Sequence, residues 1–90
     1  MSTSIILFTL EGCSHCDSLK NRLNELTIPY NELEINENPE IWNEVVKQIK
    51  HEFLPTVFIV NRDYDEGLIF IPSIDYESED EIVEIIKNHS

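Results

Sequence analysis

Cys13 and Cys16 are the only two cysteines in the 90-residue chain, spaced C-x-x-C within Gly12-Cys13-Ser14-His15-Cys16. Thiols at this spacing can exchange with a disulfide: one attacks, and the other, a helical turn on, displaces the product from the mixed disulfide. The flanking pattern supports that chemistry. An apolar run, Ile5-Ile6-Leu7-Phe8, precedes the pair, and Cys16, Leu19, Leu23 and Leu26 fall at i, i+3, i+7 and i+10. A dithiol is therefore expected between a buried strand and the start of an amphipathic helix. Unpaired N–H groups and the positive end of the helix dipole favour a thiolate there. Cys13 is the expected nucleophile and Cys16 the expected resolving thiol.

Composition narrows the partners. Ninety residues with 41% hydrophobic content suffice for one small domain, 1–90, and no repeat or low-complexity tract divides it. The net charge of −12 argues against nucleic acid and against an anionic membrane surface. It suits a basic face on a partner protein, or simply solubility. The start, Met1-Ser2-Thr3-Ser4, carries no basic residue, and the run that follows is too short for a secretory signal. No stretch approaches the ~20 apolar residues of a membrane span. A cytoplasmic location is expected, where two cysteines are more often catalytic or metal-binding than structural.

The elements that must hold the pair read as β-α-β-α-β-β-α. Ile5 to Thr9 is a strand buried on both faces, and the helix from about Ser14 to Leu26 ends before Thr27-Ile28-Pro29. Tyr30 to Asn36 alternates as a half-exposed strand, Leu33 and Ile35 inward, Glu32 and Glu34 outward. Asn38-Pro39 starts a second helix with Ile41, Trp42, Val45, Val46 and Ile49 on its apolar stripe, which makes Trp42 a core residue. Phe53 to Val60 is a third strand opened by a proline; composition alone favours a trans bond there. A polar turn, Asn61 to Gly67, joins it to a fourth strand, Leu68 to Ile71, as a hairpin. Ser78 and Glu81 form a capping box before Ile82, Val83, Ile85 and Ile86.

This order, with C-x-x-C after the first strand and a proline opening the third, resembles the thioredoxin fold: α/β, a four-stranded mixed sheet flanked by three helices. More narrowly, Phe8 to Cys16, Ile28 to Glu40 and Leu54-Pro55-Thr56-Val57-Phe58-Ile59 resemble the glutaredoxin family. The resemblance implies that Pro55 is cis and beside Cys13, and that the backbone of Leu54 pairs with an extended substrate such as the cysteinyl part of glutathione. It implies a disulfide oxidoreductase, a monomer with no tightly bound cofactor. Glutathione or a reductase is the implied electron donor, and disulfide-bearing proteins, ribonucleotide reductase among the candidates, are the clients.

The chain departs from the family pattern in several places. Leu10 stands where a lysine is common, and Phe53-Leu54 replaces Thr-Val. The paired glycines before the last helix are missing; the segment reads Ile71-Pro72-Ser73-Ile74-Asp75, followed by Glu77-Ser78-Glu79-Asp80. Those carboxylates repel the acid groups of glutathione, although a helix N-terminus can still donate N–H bonds. Lys50, His51 and Arg62 are candidate sources of positive charge. Ser14-His15 replaces the common Pro-Tyr. A protonated His15 stabilises a neighbouring thiolate and makes the disulfide more oxidising, and Ser14 frees one more N–H near the sulfur.

Alternatives remain at this point. Serine at the position of Ser14 accompanies, in some glutaredoxins, an iron–sulfur cluster bridged between two subunits. A thioredoxin-like reductant independent of glutathione is a second alternative. A zinc module would draw on Cys13, His15, Cys16 and His51 or His89, without the usual second pair of ligands. A redox-inert adaptor would keep only the fold and the acidic surface.

Overall fold

The computed structural model describes residues 3–61 and 66–89. In chain order these form β1 (Thr3–Thr9), α1 (Ser14–Glu25), β2 (Asn31–Glu34), α2 (Pro39–Ile49), β3 (Thr56–Asn61), β4 (Glu66–Phe70) and α3 (Glu79–His89). The sheet order is β2-β1-β3-β4; β1 runs parallel to β2 and antiparallel to β3, and β4 returns antiparallel along β3. This is the mixed four-stranded sheet with three helices expected from the sequence.

β1 lies inside the sheet, so its side chains must be apolar on both faces. Ile5 and Leu7 enter one layer, with Leu19 and Leu23 of α1, Val57 and Ile59 of β3, and Ile82, Val83 and Ile86 of α3. Phe8 points the other way, its ring centroid 5.4 Å from that of Trp42 on α2. Trp42 is thus a core residue. Burying each Leu- or Ile-sized side chain contributes about 1.5–3 kcal/mol, and this layer is what fixes the start of α1 against β1.

The structure corrects several boundaries. β2 spans four residues rather than seven: after the Ile35 N–H reaches the Thr9 carbonyl at 2.9 Å, the chain turns away from the sheet edge. β3 begins at Thr56, not Phe53. Phe53 to Pro55 form a bend held by the Thr56 hydroxyl, which donates to the Phe53 carbonyl at 2.6 Å, because Pro55 has no N–H for a ladder. The Leu54–Pro55 bond is cis, against the composition-based preference for trans. β4 starts two residues before the expected Leu68 and ends at Phe70, one residue short of the expected Ile71. Of the expected turn from Asn61 to Gly67, Asn61 belongs to β3 and Glu66 and Gly67 to β4, and residues 62–65 lie outside the described residues.

Two apolar stripes also overreach. Leu26, expected on the buried face of α1, is its C-cap and 41% exposed; the chain leaves the helix there through Thr27 at φ 54°. Ile41 is 47% exposed, and Trp42 is the only buried residue of α2. Ser78 Oγ accepts the Glu81 N–H at 3.1 Å as a capping box requires, but the Glu81 carboxylate takes the Glu77 N–H at 2.7 Å instead of that of Ser78. We predict that Leu7→Ala costs about 3–5 kcal/mol and leaves a cavity. Leu26→Ala should stay within about 0.5 kcal/mol. Urea denaturation separates the two, and equal losses would contradict this division between core and surface.

Candidate redox site

The turn from β1 into α1 is closed by the Cys13 N–H donating to the Leu10 carbonyl at 3.0 Å. Gly12 sits in it at φ 88°; an added Cβ would meet nothing within 4 Å, so the requirement is backbone conformation and not space. Cys13 is extended (φ −81°, ψ 110°) and is the N-cap of α1. Its Sγ accepts the Cys16 N–H at 3.2 Å, and its carbonyl accepts the Asp17 N–H at 3.1 Å. The Cys13 sulfur thus lies at the N-terminal tip of α1 and serves as its capping acceptor.

Both thiols are free; Cys13 is half-buried and Cys16 fully buried. Burial pushes the Cys16 thiol up to about 12, reinforced by its hydrogen bond with Cys13. The helix thus presents one accessible sulfur at its tip and one neutral, buried thiol behind it.

Carboxylates brace the turn from the β2 side. Glu34 Oε2 accepts the Glu11 N–H at 2.9 Å, while Oε1 accepts the N–H groups of Asn36 at 2.7 Å and Glu37 at 3.0 Å. These bonds, the one from Glu11 foremost, hold the Glu34 carboxyl below its usual range. Glu32 accepts the Thr9 hydroxyl at 2.6 Å and pairs with Lys20 at 2.9 Å, which lowers its pKa and raises that of Lys20. The end of β1, the first turns of α1 and β2 are thereby tied together.

On the opposite side lies a cavity of about 240 Å³, lined among others by His15, Leu54, Pro55, Tyr76 and Glu77. His15, Leu54 and Pro55 are thus brought together, whereas Ser14 is exposed on the first turn of α1 and does not line the cavity. Among the described residues neither the N–H nor the C=O of Leu54 has a hydrogen-bond partner, so both are open to a ligand backbone. Lys50 is the left-handed C-cap of α2 and His51 stacks on Phe53 with centroids 5.5 Å apart; neither lines the cavity. Arg62 lies outside the described residues. Among the described residues, no three His, Cys, Asp or Glu side chains are grouped to hold a metal ion; His89 packs near Phe70, at 6.1 Å.

Two residues of this site escaped the sequence reading. Tyr76 is 6% exposed, its hydroxyl donating to the Pro55 carbonyl. Burial first, then the neighbouring Cys16 and Cys13, raise its pKa. An isolated aromatic between Asp75 and Glu77 was the available signal. Glu34 gave none, since alternation marks it as an outward, solvated residue.

A dithiol at the tip of a helix that follows the central β1, in a fold with a cis-proline bend ahead of β3, defines a thioredoxin-fold redox protein. The glutaredoxin family model matches residues 5–64, and the chain belongs to the glutaredoxin family. It is a thiol oxidoreductase of that general kind. The chain is 27% identical over 67 residues to the N-acetyl-S-hydroxy-L-cysteine reductase of Bacillus subtilis, covering 72% of this chain and 70% of that protein. Among solved structures it resembles the thioredoxin of Fasciola hepatica, with a TM-score of 0.67, 14% identity and coverage of 98% and 81% of the two chains. It also resembles the Drosophila melanogaster thioredoxin Deadhead, with a TM-score of 0.69, 11% identity and coverage of 99% and 82%. These last two likenesses concern the fold.

The raised pKa of Cys16 sets a pH dependence. The unfolded chain releases this proton near 9.0 and the folded chain only near 12. The associated stability is therefore complete below about pH 9 and is lost as pH rises toward 12. Denaturant melts of the reduced protein should show this fall, and Cys16→Ser should flatten it by the Cys16 share; an unchanged slope would contradict the assignment. Separately, Tyr76→Phe should cost about 1–3 kcal/mol by leaving the Pro55 carbonyl without its donor, read as a lower urea midpoint.

Proposed function

We propose that the protein reduces protein disulfides and mixed disulfides of small thiols, glutathione included, in a reducing cytoplasmic setting. The observation that carries this reading is the pairing of roles along α1: an accessible Cys13 sulfur accepting the Cys16 N–H, and a buried, neutral Cys16 thiol behind it. The Cys13 thiolate attacks one sulfur of the substrate disulfide, a new S–S bond forms, and the other sulfur leaves as a thiolate that takes up a proton. The Cys16 thiol gives up its proton and attacks Cys13, releasing the second substrate thiol and leaving the Cys13–Cys16 disulfide. Two electrons have passed from the dithiol to the substrate, and an external thiol or reductase restores the pair.

The unbonded N–H and C=O of Leu54 support an extended cysteinyl segment alongside the cis-proline bend, as in strand addition. The Bacillus relative is named for reducing an S-hydroxy cysteine derivative. The same two thiols would perform that reduction with water, in place of a thiol, as the first leaving group. A cavity of about 240 Å³ favours this second substrate class because it has room for a cysteine-sized molecule.

The test is NADPH consumption with a small mixed-disulfide substrate, in one arm with glutathione and glutathione reductase, in another with thioredoxin reductase alone. Turnover is expected in the first arm; turnover only in the second would replace glutathione by a dedicated reductase as donor. Cys13→Ser should abolish exchange by more than about 100-fold, as expected for loss of a nucleophile, and Cys16→Ser should accumulate mixed disulfide on Cys13. Dithiol activity retained in Cys13→Ser would overturn the reading.

A further inference from the structure

We propose that the cavity beside His15 selects disulfides carrying positive charge close to the target sulfur, and that Glu77 is the residue that sets this preference. The inference rests on the disulfide-exchange reading above and specifies its clients: protein segments with Lys or Arg within a residue or two of the reacting cysteine. The inner wall of the cavity is apolar, from Leu19, Pro55 and Ile82, and discriminates little by charge. Its acidic members are Glu77 and Glu79. Glu79 is already engaged by Arg22 at 3.3 Å. The Glu77 carboxylate is exposed and has no hydrogen-bond or ion-pair partner among the described residues.

Among the described residues no lysine or arginine lines the cavity, and His15 is its one basic side chain. Elsewhere in the fold, Lys20, Arg22, Lys47 and Lys87 each pair with a carboxylate. The N-terminus of α3, which would ordinarily attract an anion, has Glu79, Asp80 and Glu81 in its first turn and is closed by Ser78 Oγ. An acidic substrate therefore meets uncompensated carboxylate on entering, and a basic one meets a free counter-charge. The net charge of −12 adds a field of the same sign at longer range. Leu54 would hold the substrate backbone without regard to sequence, and Glu77 would read the neighbouring charge.

The experiment is single-turnover exchange of the reduced protein with three disulfide-linked peptides that differ only in Lys, Gln or Glu beside the cysteine. At low ionic strength the Lys peptide should react about fivefold faster than the Glu peptide, the scale of one exposed ion pair. That ratio should fall toward one near ~1 M salt, where the screening length is about 3 Å. Glu77→Lys should bring the ratio below one. Glu44→Lys makes the same charge change on α2, away from the cavity, and should keep most of the preference. Equal rates for the three peptides with the wild-type protein would overturn the inference and leave the oxidoreductase reading standing. Equal shifts in the two variants would assign the preference to net charge and overturn the role of Glu77. No exchange with any peptide, the neutral one included, would overturn the oxidoreductase reading itself.

Discussion

The hydrogen bond from the Cys16 N–H to Cys13 Sγ is the constraint around which the rest is arranged. A helix start has donors to satisfy, and serine, threonine, asparagine or aspartate usually supplies the acceptor. Sulfur is a weaker acceptor than oxygen when neutral and a much better one as a thiolate. Here a single Sγ both caps α1 and stands at the helix tip. The same weakness means that a neutral Cys13 cannot locate the helix by itself. The location comes from elsewhere: Leu19 and Leu23 buried under β1, the Leu10–Cys13 turn, and the Glu34 carboxylate on the Glu11 N–H.

The distribution of acid around that turn follows from the same need. Glu32 and Glu34 sit on an edge strand, where a purely solvated carboxylate would be unremarkable. Here each takes hydrogen bonds from the segment leading into α1, and Lys20 balances part of the charge. On the far side of the helix, Arg22 spans from α1 to Glu79 and Asp80 at the start of α3, with distances of 3.3 and 2.8 Å. Exposed pairs of this kind contribute little stability each. Their effect is geometric, because they join α1 to the two segments that flank it.

What could be read in the sequence was what depends on neighbours in the chain. The C-x-x-C, the apolar run of β1 and the 3.6-residue stripe of α1 are local patterns, and each corresponds to an observed element. The errors fall where a pattern outlasted its element. Leu26 continues the stripe one residue past the end of α1, and Phe53 has strand composition but lies before a proline that cannot join the ladder. The missed residues depend on distant partners: Tyr76 on Pro55, 21 positions away, and Glu34 on Glu11, 23 positions away. No periodicity encodes such a contact, since it arises only after the sheet order has brought the segments together.

That distinction also separates what this chain shares with its family from what is its own. Its expected departures, Phe53-Leu54 in place of Thr-Val and Ile71 to Asp75 in place of paired glycines, are far apart in sequence. In the fold Phe53, Leu54, Pro72 and Ser73 line one cavity together with His15. The sulfur pair, its cap and the cis bend are retained on the other side of that boundary. The exchange reaction needs two sulfurs and a helix tip, and those parts tolerate little change. Recognition needs a surface of suitable shape and charge around them, and the departures from the family pattern lie on such a surface, the cavity wall, rather than at the sulfurs.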